Sequence, residues 1–278
     1  MAPTTAGLDL SVIAPARDEG ENLAHLVREI TEALDGSGLD YEIIIVDDAS
    51  TDGTPDLLRH LLPAFPRLRA LRLDAPAAWP HRPNGQSAAF KAGIDAARGR
   101  LIATLDADGQ SDPADLPRLL ALWRRSGADM VQGDRAQARC DSAVRRIGSA
   151  VGRITRRLLL GDAVRDTGCS LRIMARDLAL ALPLQYRGIH RFIPHAARQL
   201  GAAIIEAPVN HRPRRGGRTK YSNLGRAWPG FIDCLAMRWM RSRRVDASTV
   251  ELTGAPPDDA DPPLVETAAA GPRRAVER

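Results

Sequence analysis

The chain has 278 residues, of which 44% are hydrophobic and 26% charged, as expected for a soluble globular protein with a sizeable core. No apolar run approaches the roughly 18–20 residues of a membrane-spanning helix, and the first residues lack the pattern of a secretory signal. The three cysteines, Cys140, Cys169 and Cys234, lie far apart, so we expect neither a disulfide framework nor a zinc site, and a reducing compartment.

The net charge of +5 is distributed unevenly along the chain. Residues 1–130 contain 20 acidic and 13 basic residues, whereas residues 131–244 contain 23 basic and 7 acidic residues. This asymmetry predicts a metal- or base-binding half beside a surface that meets phosphate. Nearly all the basic residues are arginine, which suits phosphate recognition, although a GC-rich coding bias produces the same usage.

The first 130 residues alternate between short apolar runs and segments with apolar residues every three or four positions. Such alternation predicts a mostly parallel sheet with helices on both faces. The predicted strands are 10–14, 41–46, 68–73, 101–105 and 128–132, and the predicted helices are 22–34, 54–62, 86–98 and 112–125.

The second half is less regular. Helices are predicted at 144–160 and 190–200, strands at 170–175 and 202–208, and a basic loop at 211–220. An amphipathic helix is predicted at 224–240 from an apolar stripe that ends in an arginine cluster. The stripe comprises Leu224, Trp228, Phe231, Leu235 and Trp239, and the cluster comprises Arg238, Arg241, Arg243 and Arg244.

The first motif with chemical potential follows the strand 41–46. Asp47 and Asp48 end this strand, and a Ser-Thr-Asp-Gly turn follows. A carboxylate at a strand end can accept hydrogen bonds from the N–H edge of a nucleobase. Equally, the cluster can begin the next helix through Asp52 or Thr54, and the sequence leaves both interpretations open.

The second motif, Asp106-Ala107-Asp108-Gly109-Gln110, follows the strand 101–105. Its alternating carboxylates can share one divalent cation, and oxygen ligands suit Mg²⁺ or Mn²⁺ bridging a diphosphate. Two uncompensated carboxylates this close repel each other, which favours the metal site over a plain polar turn. Because ligands bind at the carboxyl ends of parallel strands, we expect both motifs in one site.

Seven segments in a characteristic order carry a resemblance to a known family. They are VIAPARDE (12–19), VDDASTDGT (46–54), NGQSAA (84–89), DADGQ (106–110), GDR (133–135), DTGC (166–169) and HRPRRGGRTKY (211–221). In this respect the chain resembles the inverting family 2 glycosyltransferases of GT-A fold. Within them it is most similar to the polyprenyl-phosphate sugar transferases typified by dolichyl-phosphate mannosyltransferase. Arg17 and the segment 82–86 depart from the usual pattern, which bears on the base and sugar of the donor.

The resemblance implies four groups of site residues. Those for the nucleotide sugar are Pro15, Arg17, Glu19, Val46, Asp48, Ala107, Asp108, Gln110 and Arg135. Those for the metal are Asp106, Asp108 and Gln110. Those for the acceptor phosphate are Arg146, Arg214 and Lys220. The catalytic groups are Asp106, Asp108, Arg135 and Asp166.

The implied activity is transfer, with inversion and with Mg²⁺ or Mn²⁺, of mannose or another hexose from a GDP- or UDP-sugar. The acceptor would be undecaprenyl or dolichyl phosphate, in the synthesis of cell-envelope glycan or glycolipid. Such an acceptor is already ionised and needs positive charge rather than a base, and residues 131–244 supply that charge. The alternative is a saccharide hydroxyl as acceptor, which needs a base, with Asp166 the main candidate.

Three further points stay open or are excluded. Asp166 can instead be a salt-bridge partner of Arg165 or Arg172. His190 and Arg191 can contact substrate or only begin a helix. Nucleic acid is not expected as a partner, because residues 131–220 contain only two aromatic residues, Tyr186 and Phe192.

The predicted organisation is a catalytic domain (8–222), an amphipathic helix (223–244) and a disordered tail (245–278) rich in Pro, Ala and Asp. The helix either lies in the membrane interface or covers the core of the domain. With a lipid acceptor, the expected location is cytoplasmic and peripheral, at the inner face of the plasma membrane.

Overall fold

The computed structural model describes residues 8–75, 83–135, 143–161, 164–213 and 223–245, with the backbone alone over 143–151 and 223–227. Within these ranges seven strands form one sheet in the order β3-β2-β1-β4-β6-β5-β7. The strands are β1 (Leu10–Ala16), β2 (Tyr41–Asp48), β3 (Leu68–Leu73), β4 (Leu101–Thr104), β5 (Met130–Asp134), β6 (Arg172–Ala175) and β7 (Ile204–Pro208). Strand β6 is antiparallel to both neighbours and the other pairs are parallel, which confirms the predicted mostly parallel sheet.

Eight α-helices accompany these strands in the described ranges. They are α1 (Gly20–Asp35), α2 (Thr54–Leu61), α3 (Gln86–Ala96), α4 (Leu116–Ser126), α5 (Ala143–Leu160), α6 (Arg176–Ala181), α7 (Ile193–Gln199) and α8 (Asn223–Arg243). Two apolar clusters cover the two faces of the sheet. One contains residues of α1, α2 and α4, and the other contains residues of α3, α6, α7 and α8. The sheet is thus buried on both sides, as parallel sheets usually are.

The helix boundaries differ from the prediction where a single helix was expected. The segment 112–125 begins with a 3-10 turn, Pro113–Asp115, before α4. The carboxylate of Asp112 accepts from the amide of Ala114 at 3.0 Å, which confirms the expected cap. The segment 190–200 also divides, into a 3-10 turn Ile189–Phe192 and α7. Helix α6 was not predicted.

Helix α8 has two different apolar faces. Cys234 and Met237 are buried in the second cluster. By contrast, Trp228 and Trp239 of the predicted stripe are 69% and 63% exposed. Phe231 and Leu235, also in the stripe, are 39% and 40% exposed. The helix thus does cover the core, as one of the two interpretations held, but with a face other than the predicted stripe, whose described members are exposed.

The arginines at the end of α8 are partly used inside the fold. The guanidinium groups of Arg238 and Arg241 donate to the carbonyls of Leu159 and Leu160, at 3.0 and 3.2 Å. These carbonyls lie in the last turn of α5, where backbone acceptors lack helical partners. Among the described residues, no helix is both long and apolar enough to cross a bilayer. The compact unit ends at Arg243, and residues 246–278 lie outside the described ranges.

Helix α3 approaches the sheet closely because Gly93 has no side chain. A Cβ atom at this position would come within 2.5 Å of Cγ2 of Ile13 and 3.2 Å of Cγ2 of Val46. This contact sets the distance between α3 and strands β1 and β2. The loop before α3 contacts the first sequence motif, and Gln86, the first residue of α3, contacts the second.

We expect Gly93→Ala to lower the free energy of unfolding by about 1–3 kcal/mol through overpacking, although alanine is the better helix former. Urea unfolding measures the change. Gly36→Ala is the control, since a Cβ atom there has no neighbour within 4 Å. If Gly93→Ala is as stable as the wild type, the close packing of α3 is wrong.

Candidate active site

Hydrogen bonds to Asp48 connect the end of β2 to the loop before α3. Its two carboxylate oxygens accept from the amides of Asn84 at 2.8 Å and Gly85 at 2.7 Å, and one also accepts from the Asn84 side chain. Gly85 has φ +97°, which favours glycine. The Asp48 side chain is buried and its oxygens are engaged, so it meets the backbone of this loop and does not stand open to a nucleobase.

The other acidic residues of the first motif also hold backbone. Asp47 accepts from the amide of Ser50 at 3.0 Å and forms an ion pair with Arg72 at 3.1 Å. Asp52 accepts from the amide of Thr54 at 2.9 Å, at the start of α2. Of the two interpretations of this motif, the one in which a side chain begins the next helix is therefore correct for Asp52.

The loop after β1 contacts the end of β2. Arg17 donates to the carbonyl of Asp48 at 2.8 Å, and Asp18 accepts from the amide of Thr51 at 2.8 Å. Asp18 and Ala49 have φ values of 46° and 53°, which are unusual for non-glycine residues and typical of functional sites. A cavity of about 110 Å³ lies here, lined by Asp18, Glu19, Gly20, Glu21, Asn22 and Asp52.

Three of the expected nucleotide-sugar residues lie together at the end of β1 and just after it, whereas two others are buried in the core. Pro15, Arg17 and Glu19 are half-buried, and Glu19 accepts from the side chain of Asn22 at 2.7 Å. Val46, by contrast, is fully buried in the apolar cluster under α3. Its side chain supports the site from the core and does not line it. Ala107 is likewise buried in the other cluster.

The second motif forms a turn directly after β4. Asp106 accepts from the side-chain amide of Gln86 in α3 at 2.6 Å, and Asp108 accepts from the amide of Gln110 at 3.1 Å. Gly109 has φ +74° in this turn. Within the described part of the chain, no three His, Cys, Asp or Glu side chains are arranged to share a metal ion. The two carboxylates and the amide of this turn are oxygen donors of the kind that Mg²⁺ or Mn²⁺ takes together with phosphate oxygens.

Arg135 and Asp166 form a bidentate ion pair. Nε and Nη2 of Arg135 lie 2.7 and 3.0 Å from the two carboxylate oxygens, and the Arg135 amide lies 3.2 Å from one of them. Burial acts to lower the pKa of Arg135, but the hydrogen bonds and charge of Asp166 raise it above its usual value. The expected partners of Asp166, Arg165 or Arg172, were therefore wrong. These two residues lie apart in sequence, so only the fold identifies the pair.

Arg172, expected only as an ion-pair partner, is a buried charged residue on the sheet. It is 2% exposed on β6, directly opposite Thr104 of β4 and Gln132 of β5. One nitrogen donates to the carbonyl of Cys169, while Nε and Nη1 have no partner among the described residues. Burial lowers the pKa of Arg172 to about 10. The sequence did contain one indication of this, since Arg172 is a charged residue within the predicted strand 170–175.

A second contact joins α3 to the 3-10 turn before α7. The hydroxyl oxygen of Ser87 accepts from the amide of His190 at 3.1 Å and lies 3.0 Å from Nδ1 of its ring. Burial, together with the charges of Arg191 and Arg172, lowers the pKa of His190 to about 3. The imidazole is therefore neutral at physiological pH.

The side chains of the expected acceptor-phosphate residues are not among those that the structure describes. Arg146 lies in α5, in the part where only the backbone is described. Arg214 and Lys220 lie outside the described residues.

The acidic turn after β4 and the loop after β1 lie at the ends of neighbouring strands. This arrangement agrees with the comparison with known families. Residues 11–181 match the sequence family described as Glycosyl transferase family 2. The chain is a member of glycosyl transferase family 2. The family resemblance of the sequence motifs is thereby confirmed.

Two curated relatives of this family 2 chain are polyprenyl-phosphate sugar transferases by name. Dodecaprenyl-phosphate galacturonate synthase of Rhizobium johnstonii is 34% identical over 238 residues, covering 83% of this chain and 66% of that protein. Undecaprenyl-phosphate 4-deoxy-4-formamido-L-arabinose transferase of Edwardsiella ictaluri is 33% identical over 250 residues, covering 88% and 73%. The chain thus spans slightly less than two thirds of the length of the first relative.

Solved structures share the fold of this family 2 chain at low sequence identity. Glucosyl-3-phosphoglycerate synthase of Mycobacterium tuberculosis, in complex with Mn²⁺, UDP and phosphoglyceric acid, has a TM-score of 0.63 at 23% identity, covering 87% of this chain and 81% of that one. Mannosyl-3-phosphoglycerate synthase of Rubrobacter xylanophilus has a TM-score of 0.59 at 15% identity, covering 90% and 79%. The expected GT-A fold is confirmed.

We expect acid to destabilise the protein through His190. The unfolded chain binds a proton at this residue near pH 6.5, whereas the folded chain does so only near pH 3, so stability falls as the pH drops below 6.5. For each pH unit below 6.5, the free energy of unfolding of the wild type should fall by about 1 kcal/mol more than that of the His190→Gln variant. Urea unfolding between pH 6.5 and 4.5 measures both slopes, and equal slopes would contradict a neutral imidazole.

Proposed function

We propose that this protein transfers a sugar from a nucleotide sugar to a polyprenyl phosphate, with inversion at the anomeric carbon. The observation that carries the proposal is the meeting of the Asp48 loop and the Asp106–Asp108 turn at the carboxyl ends of β2 and β4, on either side of β1. The two polyprenyl-phosphate transferases among the relatives support this acceptor class. The donor is a GDP- or UDP-hexose, with mannose and a uronic acid as the first sugars to test.

The donor diphosphate would bind at the turn after β4. Asp106, Asp108 and Gln110 would hold a Mg²⁺ or Mn²⁺ ion there, and this ion would neutralise the charge that develops on the leaving diphosphate. Gln86 orients Asp106 through its hydrogen bond, which keeps one carboxylate oxygen in a fixed position. The loop formed by Pro15, Arg17, Glu19 and the backbone beside Asp48 would hold the nucleoside.

The reaction needs a nucleophile and a stable leaving group. An oxygen of the acceptor phosphate attacks the anomeric carbon, the bond from that carbon to the diphosphate oxygen breaks, and its electron pair leaves with the nucleoside diphosphate. The acceptor arrives ionised, so no side chain has to remove a proton. Arg146, Arg214 and Lys220 would hold this phosphate, and the positive charge of residues 131–244 supports that assignment.

The ion pair of Asp166 argues against a saccharide hydroxyl as the acceptor. A hydroxyl acceptor needs a general base within reach. Asp166 was the candidate for this role, but both of its oxygens accept from Arg135, and its side chain is only 8% exposed. Because both oxygens already bind the guanidinium group, neither is positioned for an incoming hydroxyl. We assign Asp166 to holding Arg135 beside the diphosphate.

Helices α5 and α8 supply a surface for the membrane that contains such an acceptor. Ile154 and Leu158 of α5 are exposed, as are five large apolar residues of α8: Trp228, Phe231, Ile232, Leu235 and Trp239. Exposed arginines accompany them on both helices, among them Arg153, Arg157 and Arg243. Apolar side chains rimmed by basic ones bind the interface of anionic bilayers. We therefore propose a catalytic domain over 8–222, an interface helix over 223–244 and a tail over 245–278, in a protein that attaches peripherally to the inner face of the plasma membrane.

The activity is tested by incubating the full chain with Mn²⁺, labelled GDP- and UDP-sugars and a short polyprenyl phosphate. Label that moves into the organic phase with one donor supports the proposal and identifies the sugar. Donor hydrolysis without lipid product would favour a hydroxyl acceptor, and absence of donor binding would reject the proposed chemistry.

We expect Asp108→Asn to lower kcat/KM in this assay by about 100-fold or more, because a ligand of the charge-neutralising ion is lost. Asp56→Asn is the matched control, since Asp56 is an exposed carboxylate on α2 that pairs only with Arg59 among the described residues. Circular dichroism verifies that both variants are folded. Full turnover by Asp108→Asn would contradict the metal assignment.

Membrane binding is tested by flotation with phosphatidylglycerol and phosphatidylcholine vesicles. We expect the wild type to float with the anionic vesicles, and Trp228→Ser combined with Trp239→Ser to lower binding about tenfold or more, because two apolar side chains are lost from the surface. Leu62→Ser removes an exposed apolar residue from outside α5 and α8 and serves as the control. Equal flotation of all three proteins would reject α8 as the membrane surface.

A further inference from the structure

A row of polar residues crosses the sheet beside the proposed diphosphate site. Thr104, Arg172 and Gln132 lie opposite one another on β4, β6 and β5, so they share one face of the sheet. It is the face covered by α3, because Ile102, Met174 and Met130, two residues away on each strand, belong to the apolar cluster that α3 contributes to. Asp106 follows two residues after Thr104. The apolar layer under α3 therefore becomes polar where the donor is proposed to bind.

The segment 187–190 lies across the beginning of α3, above this polar row. Arg187 donates to the carbonyls of Pro83 and Asn84, and His190 is bound to Ser87. Between the residues bound by Arg187 and by His190 lie Gly85 and Gln86, which contact the first and the second acidic motif. Gly85 binds Asp48 and Gln86 binds Asp106. His190 is thus bound at the residue that follows Gln86, and the charge of Arg172 acts on its ring.

Ser87 offers a hydrogen-bond donor to one ring nitrogen of His190. The Ser87 oxygen accepts from the backbone amide of His190, and its own proton is available for Nδ1 at 3.0 Å. In the tautomer that this contact favours, Nδ1 is the acceptor and the neutral ring carries its proton on Nε2. No residue in the described ranges accepts from Nε2. The ring therefore presents one oriented donor beside the site.

We propose that His190 is a sugar-recognition residue, whose Nε2–H donates a hydrogen bond to an oxygen of the donor sugar. This inference rests on the proposed function, because it requires that the chain binds a nucleotide sugar. The oxygen belongs to a hydroxyl or to a carboxylate, both of which accept, and an ammonium group at that position is excluded. The positive charges of Arg172 and Arg191 act on the His190 ring and favour a carboxylate, such as that of a uronic acid, as the acceptor.

Two substitutions separate recognition from a structural role. The amide nitrogen of asparagine reaches about as far as Nδ1 of histidine, and that of glutamine about as far as Nε2. His190→Asn therefore keeps a polar group for Ser87 and loses the outer donor, whereas His190→Gln keeps the outer donor. Thermal unfolding identifies any variant that fails to fold, and the two variants are compared only with each other and with the wild type at pH 7.5.

Calorimetric titration in Mn²⁺ buffer measures Kd for UDP, UDP-galactose, UDP-galacturonate, GDP and GDP-mannose. We expect both variants to bind the nucleoside diphosphates within about twofold of the wild type. His190→Asn should bind the preferred nucleotide sugar about 3- to 10-fold more weakly if the acceptor is a hydroxyl, and tenfold or more if it is a carboxylate. His190→Gln should recover most of this loss.

The opposite pattern would overturn the inference. If His190→Asn binds nucleotide sugars as the wild type does, or if His190→Gln is the weaker variant, the histidine acts through Ser87 and does not contact the sugar. If the wild type binds none of the five nucleotides, the proposed function itself fails. A loss for UDP-galactose equal to that for UDP-galacturonate assigns a hydroxyl, and a larger loss for UDP-galacturonate assigns the carboxylate.

Discussion

The beginning of α3 is held between the ends of two strands by side chains that belong to other elements. Asp48 accepts from the amides of Asn84 and Gly85, and Gln86 donates to Asp106. A buried carboxylate is costly unless charge-assisted hydrogen bonds compensate it, and free amides at a helix start are good donors for that purpose. This arrangement brings the two motifs to one edge of the sheet and places Ser87 where it meets His190.

The antiparallel direction of β6 determines the other half of the site. Because β6 runs against β4 and β5, its first residue, Arg172, lies at the carboxyl ends of those strands. The loop before β6 then reaches the end of β5, where Asp166 binds Arg135. A buried guanidinium with unpartnered nitrogens is energetically costly. Such groups are often found at functional sites, where their charge serves the chemistry.

Helix α8 contacts the segment that carries His190, the proposed sugar-recognition residue, and also carries part of the proposed membrane surface. Gly188 has φ +88°, and a Cβ atom there would come within 2.5 Å of a carboxylate oxygen of Asp233. Arg191 lies 3.7 Å from the same carboxylate. The segment that carries His190 is therefore packed directly against the helix whose outer face exposes Trp228 and Trp239. The proposed membrane surface and the proposed sugar-recognition residue therefore lie on the two sides of this contact.

The amino-acid sequence by itself determined the alternation of strands and helices, the mostly parallel sheet and the positions of both acidic motifs at strand ends. These features follow from apolar periodicity and from local turn residues, which act over a few positions. Asp112 is an example, since its cap on the next turn needs only neighbouring residues. The family resemblance was confirmed, and the residue roles that it implies stay predictions.

Only the tertiary structure decided which side chains pair. Asp166 meets Arg135 and not its neighbours Arg165 or Arg172, and Asp48 meets the loop before α3. The stripe of α8 is exposed because a second face of the same helix, with Met237, fills the core. Periodicity identifies an apolar face but not what covers it. Which side chains pair depends on the order and direction of the strands, because these bring together residues that are distant in the chain. No local sequence pattern specifies such pairs.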